Sequence, residues 1–169
     1  MTQETDRNRI VVGVDGSPAS AAALRWARAE AAARGSTLHA VTVWLYDAML
    51  DDASVARTQE DARQTHLAKL EEFVATTLGE NPGVEVTCAA PDGDAGDILV
   101  AMSADAAMLV LGSHGTRTLR HLVLGSVCSA CLRHACCPVV VLPAEVTAKA
   151  DVLERMLGSA ASYVPGPVL

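Results

Sequence analysis

Short, almost continuously apolar runs recur along the chain at residues 9–15 (RIVVGVD), 36–44 (STLHAVTVW), 84–90 (VEVTCAA), 106–112 (AAMLVLG) and 139–142 (VVVL). Between them lie stretches with the spacing of a helix. A half-buried strand alternates apolar and polar residues, whereas a run apolar throughout is covered on both faces. From Ala19 to Arg34, Leu24, Ala27 and Ala31 share one face, and Gly35 supplies the stop. The first strand, this helix and the second strand follow one another within about 35 residues, the length of a right-handed crossover joining parallel strands. Leu67, Leu70, Val74 and Leu78 mark the buried face of a second helix ending at Gly79. Further helices are expected at 94–103 and 126–135. This order predicts an α/β fold, an open, doubly wound, five-stranded parallel sheet.

At 169 residues the chain suits one core. The expected organisation is an N-terminal extension at 1–8, a domain over 9–143 and a C-terminal extension at 144–169, whose end, YVPGPVL, lacks any period. No apolar run approaches the ~20 residues that span a bilayer, and the first ten residues lack the apolar core of a secretory signal. A cytoplasmic protein without membrane contact is expected. Thirteen basic and twenty acidic side chains give a net charge of −7, and there are only two Trp, two Tyr and one Phe, which argues against nucleic-acid binding. Cys88, Cys128, Cys131, Cys136 and Cys137 are odd in number and mostly crowded into one segment, so reduced thiols are expected rather than a disulfide framework.

In such sheets ligands settle beyond the carboxyl ends of the strands, where neighbouring loops leave for opposite faces. Two loops qualify. After the first strand comes VDGSPAS, with Asp15 at the tip; it is either a turn-former or a ligand for phosphate-held Mg²⁺, and spacing favours the turn. After the fourth comes GSHGTRTLRHLVLGSV, placing Gly112, Gly115, Gly125 and Ser126 in a G-x2-G-x9-G-S spacing. Glycines there permit positive φ and close approach of backbone N–H groups to a phosphate, and Gly125 and Ser126 fall where a helix N-terminus would favour an anion. Ser126 acting only as a helix cap is the alternative. Arg117 and Arg120 are suited to neutralising phosphate, and His114 and His121 to donating to it, although solvated loop side chains of these types are ordinary. There is no Walker A sequence, and the only lysines are Lys69 and Lys149.

The stretches IVVGVDGSPAS, LGSHG, LGSV and RHACCPVVVL together resemble the universal stress proteins, in their single-domain nucleotide-binding branch, over about residues 8–143. The resemblance implies an adenine nucleotide alpha hydrolase-like sheet in the order 3-2-1-4-5. It implies a stress-response regulator that binds ATP or a related adenine nucleotide with Mg²⁺. Gly13 and Asp15 would line the pocket, with Asp15 near the phosphates or the metal, and Val43 would meet adenine through its backbone. Gly112, Gly115, Gly125, Ser126 and Val127 would hold the phosphates, with Ser113, His114 and Arg117 in the same loop. A homodimer through Val139 to Leu142 is implied as well. Cys136 stands where relatives often carry proline. The alternatives are a slow ATPase, a cyclic-AMP-binding protein and a module without ligand. Against an enzyme, the loops offer one carboxylate and no lysine.

Overall fold

The computed structural model describes residues 8–46, 58–113 and 124–143. In chain order the elements are β1 (Arg9–Gly13), α1 (Pro18–Arg34), β2 (Thr37–Val41), α2 (Gln59–Leu78), β3 (Val86–Ala89), α3 (Ala95–Ser103), β4 (Met108–Gly112), α4 (Ser126–His134) and β5 (Val139–Leu142). All strand pairings are parallel, in the order β3-β2-β1-β4-β5. The expected sheet is therefore the one formed.

Covering on both faces explains the unbroken apolar strands. Ile10, Val11 and Val12 are all 0% exposed, yet successive side chains point to opposite faces. Ile10, Val12 and Val14 join Leu24, Leu38, Leu70 and Val110 in a core beneath α1 and α2. Val11 joins Val41, Leu99, Leu109 and Cys131 in a second core beneath α3 and α4. Each large aliphatic side chain removed from water in this way contributes roughly 1.5–3 kcal/mol. Ala23, Ala27 and Ala31, all fully buried, leave α1 with small side chains against the sheet.

Element ends differ from the periodicity where local chemistry intervenes. Pro18 starts α1, one residue before the expected Ala19, because its fixed φ and missing N–H suit the first turn. Ser17 caps that helix by accepting the Ser20 N–H at 3.1 Å, and Gly35 ends it with φ 65°. In α2 only Leu70 and Val74 of the expected four are buried; Leu67 and Leu78 are half-buried. This helix lies towards the β3 edge, packing against α1, β2 and β3, so its ends meet only the margins of the packing: Leu78 lies against the first core and Leu67 against Trp44, Ala62 and Ala90. The runs at 9–15 and 36–44 pair as strands only to Gly13 and Val41. Beyond them the backbone turns into the loops that carry the candidate ligands. Residues 1–7 and 144–169, which include most of the expected extensions, lie outside the described residues.

Candidate functional site

β1 is the strand at which the sheet order reverses, pairing with β2 on one side and β4 on the other. The chain leaves β1 for α1 on one face and leaves β4 for α4 on the opposite face, as their separate cores show. The two connections therefore start at neighbouring strand tips and lead to opposite faces, the arrangement that places a crevice at the tips of such sheets.

On the β1 side, Val14 donates its N–H to Val41 C=O at 2.8 Å, and exposed Asp15 follows. One oxygen of Asp15 accepts the Ser17 N–H at 3.0 Å, and Gly16 completes the turn with φ 79°. The turn-forming role is thus realised. Among the described residues no three His, Cys, Asp or Glu side chains converge as a metal cage, so a cation at Asp15 would take its other ligands from elsewhere. Val43 lies two residues beyond the Gly13↔Val41 pairing, as Asp15 does, and packs half-buried on the core beneath α3 and α4. Gly13 has a packing reason: a Cβ there would stand 2.7 Å from Leu111 Cδ2.

On the β4 side the glycines have different reasons from one another. A Cβ on Gly112 would meet the carbonyl carbon of Ala19 at 2.7 Å and the backbone nitrogen of Ser20 at 2.8 Å. Close approach of β4 to the first turn of α1 thus demands this glycine, without any ligand and without positive φ. Gly125 adopts φ −59° and ψ 156°, open to any residue, and among the described residues the nearest atom to a Cβ there would be Ser113 O at 3.9 Å. Space rather than backbone freedom is what Gly125 provides. Between them, buried Ser113 donates its N–H to Leu142 C=O at 2.8 Å and accepts the Gly125 N–H at 3.4 Å.

Gly125 is the N-cap of α4 and no side chain caps the helix, so the capping alternative for Ser126 is not the one formed: Ser126 is the first helical residue and exposed. The first helical hydrogen bond runs from Ser129 N–H to Gly125 C=O at 2.9 Å. The N–H groups of Ser126, Val127 and Cys128 therefore have no acceptor within the helix. No acidic residue stands in that first turn, while Arg133 and His134 occupy the last, so the positive end of the dipole is left uncompensated. An anion is the ligand this end favours. Val127 is half-buried against the α3/α4 core. His114, Gly115 and Arg117, with Arg120 and His121, lie outside the described residues.

The site also has neighbours that the sequence reading passed over. An open cleft of about 530 Å³ lies on the α2 side of the same strand tips, lined by Asp15, Thr42, His66, Lys69 and Phe73 among others. His66 stacks on Trp44 at 4.9 Å between ring centroids, and Trp44 Nε1 donates to Ala90 C=O. These are long-range pairings with no local signal. The described cysteines are all free thiols. Burial pushes the Cys131 thiol up to about 11, and burial with the nearby Asp15 charge raises Cys128, so both stay protonated at neutral pH. The Cys128 Sγ donates to Gly112 C=O at 3.0 Å.

Three comparisons bear on this site. The profile described as Universal stress protein family matches residues 6–143. A universal stress protein of Mycobacterium tuberculosis is 35% identical over 168 residues, which is 90% of this chain and 55% of that protein. The chain spans about half the length of the curated relatives it matches. Among solved structures, a universal stress protein in complex with cAMP superposes with a TM-score of 0.56 at 23% identity, covering 80% of this chain and 96% of that one. The universal stress protein of Archaeoglobus fulgidus in complex with dAMP gives a TM-score of 0.55 at 24% identity, with 79% and 96% covered.

Proposed function

Because the chain belongs to the universal stress protein family, we propose that it binds an adenine nucleotide, ATP or a relative, at the crevice between the β1 and β4 tips and acts as a ligand-dependent regulator. The observation that carries this reading is the N-terminus of α4. Three backbone N–H groups there lack helical acceptors beside Gly125, where the described residues leave space for a phosphate. Complexes of two fold relatives with cAMP and dAMP support the class of ligand.

In this reading the Ser126 and Val127 amides receive the phosphates, with Gly115, Ser113, His114 and Arg117 completing the loop. The backbone of Val43 meets adenine, and Gly13 and Gly112 hold the strand tips in place. Asp15 faces the ribose–phosphate end or a Mg²⁺ held by the phosphates. Its Oδ1 already holds the turn through Ser17, so its part in metal binding rests on the remaining oxygen. Binding without turnover is the regulatory outcome we favour, because a hydrolase needs a placed base and strong charge stabilisation near the phosphates.

Denaturing freshly purified protein and analysing the released small molecules by mass spectrometry is expected to yield an adenine nucleotide. Failing that, titration with ATP, AMP and cyclic AMP should show saturable binding. No retained nucleotide and no binding of any of the three would sink the reading. A second reading within this function concerns assembly. β5 ends the sheet, and Val139, Val140 and Val141 along it are only half-buried. Among the described residues β5 is an edge strand, which gains from being covered, and a homodimer through Val139 to Leu142 would cover it. Sedimentation equilibrium should then return a dimer mass, and replacing Val141, whose N–H points away from β4, by proline should return a monomer.

A further inference from the structure

Cys128 is the third residue of α4 and is 4% exposed. Its thiol reaches across sixteen residues of sequence to donate to the Gly112 carbonyl at 3.0 Å. The same two stretches are also joined by the Gly125 N–H to Ser113 C=O bond, whose 3.4 Å is near the outer limit for a hydrogen bond. A short sulfur-to-carbonyl contact thus joins the stretches on either side of residues 114–123, beside the packing of Val127 and Cys131 in one core with Leu109 and Leu111. Gly112 itself lies so close to the backbone of Ala19 and Ser20 that no Cβ fits between them. The thiol, buried and beside the Asp15 charge, remains in its donor form at neutral pH.

We propose that Cys128 is a positioning residue of the nucleotide site: its S–H bond to Gly112 fixes the first turn of α4, and with it the Ser126 and Val127 amides, against the tip of β4. The inference rests on the nucleotide-binding reading above. Cys128 does not touch the nucleotide in this account. It sets the separation of the two elements that do, so its loss weakens binding through geometry.

The test is a set of single variants of the full chain, each titrated with ATP and each unfolded in urea. Cys128→Ala, which removes the donor, is expected to weaken binding about fivefold to tenfold, the equivalent of one lost hydrogen bond. Cys128→Ser keeps a donor at the same place and should restore most of that affinity even where its polar hydroxyl lowers stability. Cys131→Ala, on the same helix and fully buried, creates a comparable cavity without touching Gly112, and should leave affinity within about twofold. Equal affinity of Cys128→Ala and the wild type, or equal loss in Cys131→Ala, overturns the role of the thiol. A wild type that binds no ATP, AMP or cyclic AMP overturns the binding reading itself, and the proposal with it.

Discussion

Replacing Gly112 by valine is expected to lower the unfolding free energy by about 3 kcal/mol or more, a large share of a typical domain's 5–15 kcal/mol. The new Cβ would lie 2.7 Å from the Ala19 carbonyl carbon and 2.8 Å from Ser20 N. These are backbone atoms in the first turn of a helix capped by Ser17, so no side-chain rotation relieves the clash. Either α1 lifts away from β4 or the tip of β4 bends, and both open the core around Leu24 and Val110, each 0% exposed. Gly13 offers the contrast: a Cβ there would also stand 2.7 Å from a neighbour, but that neighbour is the end of the Leu111 side chain, which can turn. Gly13→Ala should therefore cost less than Gly112→Ala. Urea unfolding with an unchanged m-value measures both. A Gly112→Val protein as stable as the wild type would remove the packing account of this glycine.

Gly125→Val is expected to do the reverse, leaving stability within about 0.5 kcal/mol while weakening nucleotide binding by about tenfold or more. Its φ of −59° and ψ of 156° suit a β-branched residue, and the nearest atom of the described residues to the added Cβ is 3.9 Å away. The added methyls instead occupy the open space before the Ser126 and Val127 amides, where the proposed phosphate lies. Calorimetric titration with ATP reads the loss, and the urea midpoint reads the fold. Wild-type affinity in this variant would place the phosphates away from the N-terminus of α4. The pair of glycine variants thus separates folding from binding in one loop.

The sheet and its order of elements were legible because burial on both faces imposes a local rule: IVVG after Arg9 and MLVLG had to be apolar throughout, and the helices between them had to repeat near 3.6. The end of α1 was legible where one residue decides it, at Gly35, whereas its start at Pro18 falls one residue before the expected Ala19. The buried face of α2 was legible only in its middle, because Leu67 and Leu78 match the period while tertiary position leaves them at the rim.

For the candidate site, spacing drew attention to Gly112, Gly125 and Ser126 together but gave them one common reason. Tertiary structure separated them. Gly112 answers to α1, more than ninety residues earlier in the chain; Gly125 answers to open space; and Ser126 begins α4 rather than capping it. The same holds for Cys128, whose composition and helical position suggest a small hydrophobe and whose partner is a carbonyl sixteen residues away. By itself the sequence determined the alternation of strands and helices, and hence the crevice at the strand tips, since those follow from period and burial within each segment. Which atoms meet at that crevice was decided only by the packing of segments distant in sequence, because a Cβ clash or a thiol-to-carbonyl bond exists only once the two backbones are brought within a few ångströms.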